Sequence, residues 1–127
     1  MRTVCGKPSL STYNFMRYLC AILAKKGKVI VDLSSVTSNI YQFKEQVPEE
    51  DLFLFDDIEF RTGIDNSVAS LDISEGLNSL QTFGIIGKLN PTYEKIVIYL
   101  TPEEAGTILK TCDEKVVTML DKLAQVF

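Results

Sequence analysis

The side chains that could do chemistry in this chain are carboxylates, three cysteines and a few clustered lysines. Its 127 residues include no histidine. Histidine is the usual general base near neutral pH, the usual partner of a nucleophile and the commonest metal ligand. Cys5, Cys20 and Cys112 lie far apart and form no Cys-x-x-Cys pair, so a zinc site is not expected. Glycine loops of the phosphate-binding type are also missing. The sequence therefore predicts a non-enzymatic protein without cofactor or metal.

A different kind of chemistry, contact with nucleic acid, is open to basic and neutral polar residues in three places. Lysines neutralise phosphates, and neutral polar side chains can read base edges. The candidate residues are Lys25, Lys26, Lys28, Ser70, Asn78, Lys88, Asn90 and Lys95. Each lysine group also has a purely structural interpretation, because cations favour the C-terminal end of a helix and surface lysines often only solubilise.

Charge is segregated along the chain, whose formal net charge is −4. The first thirty-one residues carry six cations and no acid, whereas residues 45–79 carry ten acids and one cation, Arg61. Within the acidic stretch, the predicted partner surface consists of Glu49, Glu50, Asp51, Asp56, Asp57 and Glu59. Carboxylates along a ridge attract a basic partner. The alternative is a solvated loop whose aromatic residues Phe53 and Phe55 fill the core.

Hydrophobic spacing and local stop signals predict the elements that position these residues. Ser11 is a suitable N-cap for a first helix that runs to about Lys26. Apolar residues at steps of three and four predict a second helix after Asp32, and residues 28–31 fit either a short strand or the lead-in to it. Residues 52–55 fit a short helix or turn, residues 58–61 a short strand, and residues 63–66 a turn.

The most informative stretch lies between residues 72 and 101. Asp72 is predicted to cap a helix, with Glu75 reaching back to its N–H, and Gly84 is predicted to end that helix. Residues 85–86 and 96–100 have the apolar, partly β-branched character of strands, and Asn90-Pro91 signals a turn between them. This helix contains no lysine or arginine, which disfavours insertion into a DNA groove.

The C-terminal segment is predicted to form one long helix that begins after Thr101. Pro102 suits the first helical position, and Glu104 completes a capping box with Thr101. Apolar residues then follow at steps of three and four, as in a heptad repeat. The dimer candidates along this stripe are Leu109, Cys112, Val116, Met119, Leu123 and Val126. The alternative is that the stripe packs against its own domain.

The succession of helix, Gly84-Ile85-Ile86, hairpin and Leu100-Thr101 before a helix resembles the winged helix-turn-helix superfamily, in particular its MarR-like members. The resemblance covers residues 72–127. It implies a single α+β domain over residues 1–127, mainly helical, with a small antiparallel sheet, a wing hairpin and a long C-terminal helix. It also implies that the strand at 58–61 pairs with the wing to complete a three-stranded sheet against the helices.

The predicted function is a winged-helix-like module that binds a protein partner and can form a homodimer through its last helix. The alternative is a DNA-binding transcriptional regulator of the winged-helix type, in which Ser67, Ser74 and Gln81 would join the nucleic-acid candidates. The odd number of cysteines, the missing signal-peptide pattern and the short apolar runs predict a soluble cytoplasmic protein without membrane contact.

Overall fold

The computed structural model describes residues 10–65, 67–88 and 94–127. Its helices are α1 (Thr12–Lys25), α2 (Leu33–Lys44), a 3-10 helix (Glu49–Phe55), α3 (Leu71–Thr82), α4 (Pro102–Leu109) and α5 (Glu114–Ala124). Its strands are β1 (Ile30–Asp32), β2 (Arg61–Thr62), β3 (Val68–Ala69), β4 (Ile86–Lys88) and β5 (Lys95–Ile98). The prediction of a mainly helical α+β fold with a small antiparallel sheet is confirmed.

Helix α1 forms the centre of the fold. The Ser11 hydroxyl accepts a hydrogen bond from the Asn14 N–H at 3.1 Å, which confirms the predicted N-cap. The helix ends at Gly27, whose φ of 77° allows the Lys28 N–H to reach the Leu23 carbonyl at 2.9 Å. Helices α3, α4 and α5 all pack against α1. Most of its side chains are consequently buried, and Phe15 is fully so.

The main sheet has the strand order β1-β5-β4, and both pairings are antiparallel. The predicted pairing of the two strands that follow α3 is confirmed, with Ile86 opposite Ile98. The predicted turn at Asn90-Pro91 lies outside the described residues. Side chains of Val31, Ile86 and Ile96 point from this sheet into the core.

The third strand of the sheet is β1, so the prediction that residues 58–61 would supply it was wrong. Ile58 is buried in the core as irregular chain, and the strand that follows it pairs with β3 in a separate two-stranded hairpin. Val31 provides the physical reason. Val31 is buried between two exposed neighbours, and this alternation of burial is what a half-buried strand requires. Val31 also pairs with Ile96 in β5.

The N-cap of α3 lies two residues earlier than the sequence suggested. Ser70, not Asp72, is the N-cap, because its hydroxyl accepts from the Ile73 N–H at 3.2 Å. The Asp72 carboxylate instead accepts from the Glu59 N–H at 2.8 Å and so joins the helix to the preceding segment. The predicted stop at Gly84 is confirmed by its φ of 78°.

We expect Ser70→Ala to lower the free energy of unfolding by about 1 kcal/mol, because the Ile73 N–H would lose its partner at a buried helix start. Urea unfolding followed by circular dichroism measures this change. Ser74→Ala on the exposed face of the same helix is the matched control and should change stability by no more than about 0.5 kcal/mol. If the two substitutions had equal effects on stability, Ser70 would not be acting as a stabilising N-cap.

The predicted long C-terminal helix is in fact two helices. The capping box at its start is confirmed, with the Glu104 N–H donating to Thr101 and the Thr101 N–H donating to the Glu104 carboxylate. The helix then ends after Leu109, and Asp113 caps a new one by accepting from the Lys115 N–H at 2.8 Å. The break allows α4 and α5 to pack separately against α1.

Candidate functional site

The outward face of α3 is the first part of the candidate site. Its apolar stripe of Ile73, Leu77 and Leu80 is buried, and α3 packs against α1. The exposed residues of the helix are Leu71, Ser74, Glu75, Asn78, Gln81 and Thr82. This face therefore offers neutral polar groups, one carboxylate and one large apolar side chain, but no cation.

Two exposed apolar side chains lie at the two ends of α3. Leu71, in the first turn, is 75% exposed, and Phe83, directly after the last turn, is 69% exposed. Phe83 also makes an edge-to-face contact with Tyr13, with ring centroids 5.9 Å apart. The two side chains are twelve positions apart in the sequence, so they are two separate exposed apolar groups and not one continuous patch.

A groove of about 550 Å³ lies beside Leu71, between α2, the β2–β3 hairpin and α3. Its walls are formed by Thr37, Arg61, Val68, Ala69, Ser70, Leu71 and Ser74. The sequence did not single out Leu71, and it marked Arg61 only as the one cation of the acidic stretch. Placing the N-cap at Ser70 would have revealed Leu71, because it then falls in the first turn and off the stripe that Ile73 begins.

The six predicted acids of the partner surface divide into two groups. Asp51 is buried and forms an ion pair with Lys115 at 3.0 Å, which raises the pKa of Lys115. Asp57 accepts two hydrogen bonds from Thr12 and so caps α1 from outside the helix. The remaining four acids, Glu49, Glu50, Asp56 and Glu59, are exposed, as Asp57 also is, so only Asp51 is buried. Only part of the predicted surface is therefore available to a partner.

Asp57 is the clearest structural acid of this set. We expect Asp57→Ala to lower the free energy of unfolding by about 1–2 kcal/mol, because the Thr12 N–H loses its carboxylate acceptor at 2.8 Å. The Thr12 hydroxyl, which donates to the carboxylate at 2.9 Å, keeps the Asp57 carbonyl at 3.0 Å as an acceptor. Thermal and chemical unfolding measure the loss. The exposed neighbour Asp56, changed to alanine, removes the same charge and should stay within about 0.5 kcal/mol of the parent. A larger loss in the Asp56 variant would contradict this division.

The predicted lysine cluster lies where α1 ends beside the end of α5, and two of its members are engaged there. Lys26 forms an ion pair with Asp121 at 3.0 Å, and the Lys28 ammonium donates to the Ala124 carbonyl at 3.1 Å. Lys25 is exposed. A cation on the last carbonyls of a helix complements its dipole. The structural interpretation of the cluster thus has specific contacts that support it.

The remaining nucleic-acid candidates are scattered. Lys95 pairs with Asp32 across the sheet, and this contact raises the pKa of Lys95. Lys88 is partly exposed at the end of β4, and Asn78 is exposed on α3. Ser70 is buried as the N-cap of α3. Asn90 lies outside the described residues.

The dimer candidates do not share one surface. Val116, Met119 and Leu123 are buried in the core of this same chain. Leu109 and Cys112 are partly buried, and Val126 is 58% exposed. Cys112 lines a groove of about 440 Å³ together with Tyr18, Phe53 and neighbouring residues. Burial, helped by Asp113, raises the pKa of Cys112 to about 11, so its thiol is neutral at physiological pH.

The outer face of the main sheet adds a further apolar surface that the sequence did not reveal. Ile30 is 57% exposed and Tyr99 is 58% exposed. The Tyr99 ring lies over Gly87, where a Cβ would come within 2.8 Å of its Cε2 atom. Gly87 thus permits the tyrosine to lie flat on the neighbouring strand.

Searches of family models, curated proteins and solved structures find no match to this chain. Across the described parts of the chain, no helix is long and apolar enough to cross a bilayer. Within those same residues, no group of three or more cysteine and carboxylate side chains is arranged to hold a metal ion. The surfaces described above are consequently the basis of any functional proposal.

Proposed function

We propose that this chain is a winged-helix-like module that binds a protein partner through the exposed face of α3. The element order α1-β1-α2-α3-β4-β5 and the three-stranded sheet β1-β5-β4 support the winged-helix part of this proposal. In that arrangement β4 and β5 are the strands of the wing, and the acidic segment between α2 and α3 is an extension that carries the 3-10 helix and the β2–β3 hairpin.

The observation that carries the choice of a protein partner is the composition of the exposed α3 face. A helix that enters a DNA groove gains most of its affinity from basic residues near phosphates. The exposed face of α3 instead carries no cation and has an exposed leucine at its start. The segment before α3 contains exposed carboxylates. Large apolar side chains and few charges at the centre are what protein interfaces require.

A DNA-binding regulator of the winged-helix type is the second candidate function. Ser74, Asn78 and Gln81 favour it, because these exposed side chains follow one another on the same helical face and could bond to base edges. Lys25, Lys88 and Arg61, which lines the groove beside Ser74, would then supply phosphate contacts. Three scattered cations contribute far less affinity than the cationic surface of a typical DNA-binding domain.

Two measurements decide between these functions. In the first, fluorescence anisotropy follows binding of a labelled DNA duplex at several salt concentrations. A regulator would lose affinity steeply as salt rises, whereas we expect no binding of this kind. In the second, a photo-crosslinking residue replaces Phe83, which is exposed at the end of α3. We expect a discrete crosslinked protein from host extract. Salt-dependent duplex binding without a crosslink would overturn the proposal.

A further inference from the structure

Strand β1 forms one edge of the main sheet, because β5 is its only neighbour among the described strands. Two backbone hydrogen bonds of 2.7 Å to the chain of β5 bracket the strand, from the Ile98 N–H to the Val29 carbonyl and from the Leu33 N–H to the Glu94 carbonyl. Bonded and non-bonded pairs alternate in an antiparallel ladder. The bonded pair between these two is therefore Val31 with Ile96.

The backbones of Ile30 and Asp32 consequently face away from β5, since both residues occupy non-bonded positions of the ladder. The Ser35 hydroxyl donates to the Asp32 carbonyl at 3.0 Å. Within the described chain, no group bonds to the Ile30 N–H, the Ile30 carbonyl or the Asp32 N–H. Ile30 is 57% exposed and Asp32 is also exposed, so this edge presents two backbone donors and one acceptor to solvent.

The opposite edge of the sheet, strand β4, is less accessible. The Tyr99 N–H donates to the Ile85 carbonyl at 2.9 Å, so the same alternation turns the backbone of Ile86 away from β5. Ile86 is nevertheless only 1% exposed. Of the two edges, β1 is therefore the one that another chain can reach.

A groove of about 370 Å³ lies against β1. Its lining residues are Ile30, Val31, Asp32, Ser35, Asn39, Lys95, Val126 and Phe127. Strand β5 contributes only Lys95, so the groove extends from β1 away from the sheet, towards α2 and the C-terminal residues. The Asn39 amide donates to the Val126 carbonyl at 3.4 Å and joins these two walls.

The side chains of this groove favour an apolar occupant without net charge. Its one cation and one anion, Lys95 and Asp32, already form an ion pair with each other. Ile30 and Val126 are 57% and 58% exposed, so both have apolar surface to lose on binding.

From these observations we infer that the open edge of β1 binds an extended peptide segment of a partner protein by strand addition. The main chain of the segment bonds to Ile30 and Asp32, and its apolar side chains at alternate positions pack against Ile30 and Val126. Backbone hydrogen bonds supply affinity in this mode of recognition, and alternate side chains supply specificity. The site lies on a different element from α3 and does not depend on the proposed function.

A short segment fits this edge better than a second copy of the chain does. A stable dimer interface buries roughly 800 Å² on each partner. Strand β1 has three residues and is therefore only about 10 Å long. The far walls at Asn39 and Val126 also leave room beside the strand for one extended chain rather than for a sheet.

The test measures amide hydrogen exchange by NMR on the full chain, with and without the blocked peptide Lys-Thr-Val-Thr-Val-Thr-Lys. In the free chain, the amides of Ile30 and Asp32 should exchange rapidly, whereas that of Val31 should be protected by its bond to β5. Saturating peptide should slow exchange at Ile30 and Asp32 by at least about tenfold. If the peptide leaves both amides unchanged, the inference is wrong.

Two methylated peptides distinguish strand addition from unspecific apolar binding. One has N-methyl groups on its valine amides and the other on its central threonine amides, so that in each peptide a different set of alternate donors is blocked. Only one set can face β1, so one peptide should lose protection of the edge and the other should keep it within about twofold. Equal behaviour of the two peptides would contradict a ladder.

Ile30→Pro removes the edge N–H, and Ile30→Thr is its matched control, because it also loses the isoleucine side chain but keeps the donor. Proline is tolerated on edge strands whose N–H faces solvent. The proline variant should bind the peptide at least about fivefold more weakly than the threonine variant. Circular dichroism establishes that each is folded, and the methylated peptides decide the question on the wild-type chain if the proline variant is not.

Protection of the Ile30 and Asp32 amides before peptide is added would overturn the inference, because the edge would already be occupied. Protection that rises with protein concentration would identify a second copy as the occupant, and protection independent of concentration would identify another part of this chain. The proposed function is tested separately. Peptide binding at β1 without capture by the Phe83 crosslink would support this site and not the α3 interface.

Discussion

Leu123→Asp is expected to unfold this domain rather than to separate two copies of it. Leu123 is fully buried, and α5 packs directly against α1. An unpaired carboxylate at such a position costs more than about 4 kcal/mol, which is comparable with the whole stability of a small domain. Circular dichroism should show loss of the cooperative thermal transition at every protein concentration.

The matched substitution is Val126→Asp. Val126 belongs to the same predicted heptad stripe as Leu123, but its side chain is 58% exposed. It should change the free energy of unfolding by no more than about 0.5 kcal/mol. Light scattering of both variants and of the parent reports the oligomeric state. A folded Leu123→Asp chain of half the parent's mass would show that Leu123 lies between two copies and not in one core.

The heptad spacing illustrates what sequence patterns can and cannot predict. Leu109, Cys112 and Val116 keep their spacing across the break between α4 and α5, so periodicity alone contains no sign of the break. The capping capacity of Asp113 was the local signal. Caps and stops that depend on adjacent residues, such as Ser11, Gly84 and the Thr101 capping box, were predictable because their physics is local.

Elements that depend on distant partners were much less predictable. Strand β1 has three residues and is defined by pairing with β5, more than sixty positions along the chain. The sequence left its conformation open because such a short segment has no periodicity of its own. Asp51 and Asp57 have structural roles only because Lys115 and Thr12 lie beside them in the fold. The same limit applies to the groove, whose walls come from three separate elements.

Some of the charged side chains make contacts within the chain, and this limits which of them can serve as a binding surface. The sequence suggested a basic surface at residues 25–28 and an acidic surface at residues 49–59. Internal contacts engage Lys26, Lys28, Asp51 and Asp57, so neither run is available as a whole.

Alkaline pH is expected to destabilise the domain through Cys20. Burial raises the pKa of this thiol from 9.0 to about 12 in the folded chain. A folded pKa above the unfolded value means that the stabilisation is complete below about pH 9 and is lost as pH rises towards 12, because the unfolded chain releases the proton first. The free energy of unfolding should therefore fall by about 2–3 kcal/mol between pH 8 and pH 11 from this group alone.

Cys20→Ala isolates that contribution, because every other alkaline group is common to both proteins. Urea titrations at pH 8, 9, 10 and 11 give the slope of stability against pH for each. The variant will begin from a lower stability, since a buried sulfur is lost, but its slope above pH 9 should be shallower by up to about 1.4 kcal/mol per pH unit. Parallel slopes would mean that Cys20 is accessible enough to ionise in the folded chain, which would contradict its place in the core of α1.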